Sequence, residues 1–173
     1  MPVYKARASG SIGHMGRLNF HETKNIISGK GGALFINDER LSERAEIIRE
    51  NGANRSQFFR EHLDKYTWAD IGSSHFPAEI IAAFLWEQME EGHSINYCRL
   101  AIWQIYHEGI TPLEESGILH PLIITDDCEH NAHMYYILLK SLKQQSEVIT
   151  KLNENAVNSV FQYIPLHNSP AWK

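Results

Sequence analysis

Apolar residues come in short clusters set apart by glycine, asparagine and charge, and the spacing inside each cluster predicts an element. Ala33-Leu34-Phe35-Ile36 is an apolar run bounded by turn residues, which predicts a buried strand entered through the glycine turn Ser28-Gly29-Lys30-Gly31-Gly32. Leu41, Ala45 and Ile48 recur at helical spacing behind an acidic first turn, with Asn37 or Asp38 as the cap and Asn51-Gly52 as the stop. Ile80, Ile81, Phe84, Leu85 and Met89 form the stripe of a helix that begins at Pro77 and is ended or bent by Gly92. Ser94 caps a following helix through Leu100, Trp103 and Tyr106 to a stop at Gly109. Leu142, Val148, Ile149 and Leu152 give a helix over 141–153, flanked by expected strands at 133–139 and 159–164, a strand-helix-strand unit.

Between these elements the pattern is irregular. Gly10, Gly13 and Gly16 among small polar residues make 8–17 a loop whose backbone can approach something closely. From 52 to 76, Phe58, Phe59, Tyr66 and Trp68 alternate with charges, as in a long ordered loop that packs on something. The stretch 111–131 reads mostly as loop.

Composition narrows the class. Hydrophobic residues are 43% and charged residues 21% of the 173, the balance of a soluble globular protein with a packed core. That length suits one sizeable domain, or one small domain with part of a larger one. The formal net charge of −5 is spread out, and no basic stripe could neutralise a run of nucleic-acid phosphates. Cys98 and Cys128 lie far apart and outside any CxxC pair, so reduced thiols in a cytoplasmic protein are expected. The N-terminal residues lack an apolar core, and no run of ~18 apolar residues could span a bilayer, so no membrane partner is expected.

The sharpest chemical feature is Phe20-His21-Glu22-Thr23-Lys24-Asn25, followed at once by the glycine turn and strand. A lone lysine is ordinarily a solvated surface charge. A carbonyl-condensing lysine needs polar and aromatic surroundings in which burial and neighbouring charge keep some amine unprotonated. Gly29-Lys30 is not a P-loop: Gly31 stands where Ser or Thr would hold magnesium, and Lys24 where the first glycine belongs. His14, His21, His62 and His75 have no tight ligand spacing, so no metal site is expected, although a histidine-rich metal module stays open as a minor alternative. Glu90-Glu91 reads as a solvated helix face.

The same segment, with Gly29-Lys30-Gly31-Gly32-Ala33 after it, resembles the cofactor-lysine motif of the DegT/DnrJ/EryC1/StrS sugar aminotransferases. The resemblance continues through Ile36-Asn37-Asp38-Glu39-Arg40-Leu41, Asn54-Arg55-Ser56-Gln57-Phe58-Phe59-Arg60, Asp64-Lys65-Tyr66-Thr67-Trp68, Asp70-Ile71-Gly72-Ser73-Ser74, Asn131-Ala132-His133-Met134 and Tyr163-Ile164-Pro165-Leu166-His167. It covers nearly the whole chain. Within the family the chain looks most like the branch that makes dTDP-4-amino-4,6-dideoxygalactose.

The resemblance implies an α/β chain that is a partial fold-type-I pyridoxal-phosphate aminotransferase. Residues 1–76 would be the end of the large cofactor domain, and 77–173 the connecting helices with a truncated small domain. It implies pyridoxal 5'-phosphate as cofactor, with glutamate as donor and a dTDP-4-keto-6-deoxyhexose as the nucleotide-sugar acceptor, for surface polysaccharide synthesis. Lys24 would form the Schiff base with the cofactor. Asn19, five residues earlier, occupies the place of the family's phosphate-binding serine, and asparagine can still donate a hydrogen bond. Ser74 lies in the stretch that reaches a partner subunit's phosphate, which implies a homo-oligomer. His133, His167 and Tyr163 match positions near the substrate pocket.

The family's earlier segment carries the aspartate for the pyridinium nitrogen, the aromatic residue stacked on the ring and a phosphate-binding helix N-terminus. Two readings therefore stand beside each other: a segment of a transaminase, or a non-catalytic truncated remnant that serves at most as an association module. On either, the helix at 77–91 and the strand at 33–36 should leave apolar faces exposed and drive association.

Overall fold

The computed structural model describes residues 1–161 and 163–172, and it divides into two compact units, Met1–Trp103 with Ile124–Met134 and Gln104–Ile123 with Tyr135–Lys173. In the first unit, β1 (Val3–Tyr4) and β2 (Arg7–Ala8) pair antiparallel around a two-residue turn. Lys5 and Ala6 hold that turn at φ 48° and 58°, the left-handed pair that a tight hairpin requires. β3 (Met15–Asn19) and β4 (Gly32–Ile36) pair antiparallel from Met15↔Ile36 to Asn19↔Gly32. The expected strand at 33–36 forms, and part of the expected loop at 8–17 is strand as well. Its glycines serve close approach: a Cβ on Gly16 would lie 2.1 Å from the carbonyl oxygen of Gly10.

Asp38 accepts a hydrogen bond from Arg40 N at 3.1 Å and caps a 3-10 turn, Glu39–Leu41, that leads into α1 (Ser42–Arg49). The helix closes at Asn51, φ 61°, with Gly52 N donating to Ile47 O at 2.8 Å. The loop from 52 to 76 is ordered, as expected, yet it opens with a short helix, α2 (Arg55–Phe59). That helix exists because α1 presents acids to it. Glu43 accepts from Gln57 at 2.7 Å, Glu46 accepts both Arg60 Nη atoms at 2.9 and 2.5 Å, and Glu50 accepts from Ser56 N at 2.9 Å. The rest of the loop returns along α1 through Ser73 N to Ile48 O and Asn51 N to Ser73 O.

Pro77 precedes α3 (Glu79–Glu90), and α4 follows at once (Gly92–Glu115). The expected stop at Gly109 does not occur, and the helix runs on through Pro112. It ends one glycine later, where Gly117 at φ 68° donates to Glu114 O and Ile118 N donates to Leu113 O, a paired-bond helix stop.

In the second unit, β5 (His120–Pro121) pairs antiparallel with β7 (Ile137–Leu138). Between them in sequence, β6 (Cys128–Glu129) belongs to the first unit and pairs with β1. α5 (Leu142–Glu154) forms where its spacing predicted, capped by Ser141 Oγ accepting from Gln144 N at 3.2 Å. The strand expected at 133–139 shortens to two residues. The one expected at 159–164 does not form over 159–161 and 163–164, and Gln162 lies outside the described residues. Mixed α/β architecture therefore holds, with a thin core. Phe20, Ala53, Trp103, Leu119 and Ala132 are its buried apolar residues among those described.

Candidate active site

The lysine loop grows from the end of the β3–β4 pair. Buried Phe20 anchors both ends: its N–H donates to Gly31 O at 3.0 Å, and its carbonyl accepts from Ser28 N at 2.8 Å. Asn19 Oδ1 accepts from His21 N at 2.8 Å, folding the chain into an Asx turn. Lys24 N then donates to His21 O at 2.9 Å, and Lys24 stands half-buried at the bend. Asn19, itself exposed at the strand end, keeps both hydrogens of its amide nitrogen for other acceptors.

Asn25 ties this loop to two distant parts of the first unit. Its Nδ2 donates to Asn131 O at 2.6 Å and to Asn96 Oδ1, on α4, at 3.0 Å. Its Oδ1 lies 3.0 Å from His133 Nδ1. Arg99, one turn beyond Asn96 on α4, donates Nε to Ala132 O at 3.1 Å and Nη2 to His133 O at 2.7 Å. Burial pushes the His133 imidazole below its ordinary value, and the charges of Lys24 and Arg99 push it further in the same direction. Lys24 and His133, 109 positions apart in sequence, thus act on each other electrostatically, the lysine's charge opposing a second proton on the imidazole.

Ser74 lies exposed on the returning loop, bridged to Glu50. Tyr163 is exposed, and His167 is in a 3-10 turn, Leu166–Asn168; both belong to the second unit. Of the residues marked in the sequence, the structure brings His133 to the lysine loop through Asn25 and places Asn19 at the base of that loop. Asn96 and Arg99 escaped the sequence reading. The signal was present in the spacing, because Asn96, Arg99 and buried Trp103 fall at i, i+3 and i+7 on one face of α4. Asn25 and Asn131 stand inside the motifs but gave no hint of pairing.

An aldehyde cofactor with a phosphate tail needs an amine in a sheltered setting and hydrogen-bond donors or cations around it. Lys24 at its bend and the Asn19 amide at the base of the same loop are groups of that kind. Among the described residues, no three His, Cys, Asp or Glu side chains come together to hold a metal ion, and no helix is long and apolar enough to cross a membrane.

The DegT/DnrJ/EryC1/StrS aminotransferase family matches residues 2–173. The Bacillus subtilis spore coat polysaccharide biosynthesis protein SpsC is 25% identical over 178 residues, covering 99% of this chain and 45% of its own length. The dTDP-3-amino-3,6-dideoxy-alpha-D-galactopyranose transaminase of Aneurinibacillus thermoaerophilus is 27% identical over 172 residues, covering 98% and 43%. Among solved structures, the aminotransferase TlmJ from Streptoalloteichus hindustanus superposes with a TM-score of 0.83 at 20% identity, over 99% of this chain and 44% of that one. That likeness speaks to fold. The chain spans less than half the length of these relatives.

Proposed function

Because the chain belongs to the DegT/DnrJ/EryC1/StrS aminotransferase family, we propose that it carries the lysine-bearing part of a pyridoxal-phosphate-dependent transaminase acting on nucleotide-linked keto sugars. The observation that supports this most is the half-buried Lys24 at a bend fixed by Asn19, next to Asn25, whose Oδ1 lies 3.0 Å from His133 Nδ1. Bound there, pyridoxal 5'-phosphate supplies an aldehyde that takes up an amino group and a conjugated ring that spreads the resulting charge. Lys24 Nζ would hold the cofactor's aldehyde and, once an incoming amino donor displaces it, would be free to carry a proton. Asn19 offers its amide nitrogen to the phosphate. Ser74 serves the phosphate of a second subunit, so the working form is a homo-oligomer. His133, His167 and Tyr163 meet the substrate.

On this reading residues 1–76 end the large cofactor domain, and 77–173 form the connecting helices and the small domain. The protein works in the cytoplasm; the acceptor is a dTDP-4-keto-6-deoxyhexose, the donor glutamate, and the product a dTDP-4-amino-4,6-dideoxy sugar for surface polysaccharide synthesis. Relatives named as a dTDP-amino-sugar transaminase and a coat polysaccharide biosynthesis protein support that class of substrate and pathway. A second reading, an association module without catalysis, is favoured by the apolar side chains that α3 leaves open, Ile80 at 82% and Trp86 at 64% exposure.

One experiment separates the two. The chain is mixed with pyridoxal phosphate and reduced with borohydride, and peptide mass spectrometry then locates the phosphopyridoxyl group. The transaminase reading expects it on Lys24, with a visible absorbance band that is lost in Lys24→Ala. Label scattered over surface lysines, with no such band, selects the association module.

A further inference from the structure

The hydrogen bonds around Asn25 decide where His133 keeps its proton. Asparagine oxygen and nitrogen are told apart only by their partners. Here one partner settles the matter, because Asn131 O is a backbone carbonyl and can only accept. The atom 2.6 Å from it is therefore the amide nitrogen, whose second hydrogen goes to Asn96 Oδ1 at 3.0 Å. The remaining amide atom, an oxygen with lone pairs alone, faces His133 Nδ1 at 3.0 Å. A bond across that gap requires Nδ1 to donate. A neutral imidazole has one N–H, so its other nitrogen carries a lone pair.

We propose that Asn25 is a positioning residue that holds His133 as the Nδ1–H tautomer, leaving Nε2 as a standing hydrogen-bond acceptor for a hydroxyl group of the sugar substrate. The tautomer follows from the bonds of this chain alone. The identity of the donor rests on the reading of His133 as a substrate residue.

The ring is held as well as protonated in one sense. Ala132 adopts φ 49°, a left-handed conformation that a residue with a Cβ keeps only when its surroundings impose it. Those surroundings are identifiable. Arg99 grips the carbonyls of Ala132 and His133, and Ala132 N donates to His130 Nδ1 at 3.2 Å. The backbone on both sides of the imidazole is pinned to α4, and the ring's own contact with Asn25 Oδ1 keeps Nδ1 on that side. Lys24 and Arg99 are the cations that bear on the ring, and both oppose a second proton. A histidine that merely filled space would need neither a fixed tautomer nor a strained, doubly held backbone.

The test uses the full chain with ring-labelled histidine and long-range proton–nitrogen correlation above pH 7, with the His133 signals assigned by their loss in His133→Gln. Wild type is expected to show a protonated Nδ1 and an unprotonated Nε2, with a bias of about tenfold, the ratio that one ordinary hydrogen bond maintains. Asn25→Ala should lose that bias, because nothing then accepts from Nδ1. A proton on Nε2 in the wild type overturns the proposal by itself, whether or not the variants fold. Diethylpyrocarbonate, which attacks only an unprotonated imidazole nitrogen, should modify His133, and dTDP-glucose should slow that modification. An unreactive His133 overturns the open acceptor, and an undiminished rate in saturating dTDP-glucose overturns the sugar hydroxyl as its partner. None of these readouts needs the cofactor, so a chain that forms no adduct on Lys24 can still pass them, and the two readings fail separately.

Discussion

The carboxylate of Glu50 keeps only 4% of its side-chain surface and takes donors from Arg49 Nη2 at 2.8 Å, Ser56 N at 2.9 Å and Ser56 Oγ. Burial alone would raise its pKa, but the Ser56 hydroxyl, the Arg49 guanidinium and the Ser56 amide together outweigh that and hold it below its ordinary 4.5. A carboxyl depressed in the folded state stabilises the fold above its unfolded pKa, and that contribution is lost as pH falls through the folded value. Glu50→Gln should therefore lower stability at pH 7 by about 1.5–3 kcal/mol, the range for hydrogen bonds to a charged group. Urea unfolding followed from pH 7 downwards should show the gap between variant and wild type closing below pH 4.5. A gap that stays constant through the acid range would mean the charge contributes nothing. At this scale Lys24 stands out only through the family resemblance of the six residues Phe20-His21-Glu22-Thr23-Lys24-Asn25. The sequence hid the Asn25–His133 and Glu50–Ser56 pairs, since a side-chain hydrogen bond leaves no period in the chain, whether it closes over 108 positions or over six.

Glycines account for some of the element boundaries that the sequence misplaced, and the structure sorts them by what a Cβ would meet. Gly109 was read as a helix stop, yet it lies exposed inside α4 with nothing within 4 Å of where its Cβ would be. Gly117, with left-handed φ, is the residue that ends the helix. Gly109→Ala should therefore stabilise by about 0.5–1 kcal/mol, through the lower backbone entropy of alanine in the unfolded chain. Gly52→Ala has the opposite sign. Its Cβ would stand 1.9 Å from Asp70 O at φ +79°, so α1 and the returning loop would be forced apart at a cost of about 2 kcal/mol or more. Denaturant midpoints of the two variants should fall on opposite sides of wild type, and a neutral Gly52→Ala would show that this crossing does not hold the loop. The helix at 142–154 was legible because apolar period and the Ser141 cap agreed, and those at 42–49 and 79–90 were legible from their runs of apolar residues and the turn residues at their ends. α2 was not, because acids on α1 hold it rather than any pattern of its own. The expected strands at 133–139 and 159–164 failed for a related reason: aromatic and branched residues suit a strand but supply no partner for its edges.

The whole chain exposes 13787 Å², whereas a folded monomer of 19.9 kDa is expected to expose about 8,700 Å². Much of the difference is apolar and sits on identifiable elements. α3 has apolar residues on every face and buries none of them, with Phe84 at 49% and Met89 at 58% exposure beside Ile80 and Trp86. A helix that is apolar all round belongs inside a larger structure. In water it meets either a second polypeptide or another copy of itself, because burial yields about 25 cal/mol per Å² and a few such side chains outweigh the cost of association. The chain on its own should therefore sediment above 19.9 kDa, with a mass that rises with protein concentration. Replacing Ile80 and Trp86 together by Asp and Glu should return it towards the monomer and leave the pairing of Asn25 with His133 intact, since neither residue touches that network. A wild-type chain that stays monomeric at high concentration would mean that α3 tolerates open water, and that neither a second subunit nor an association module is needed to account for its apolar faces.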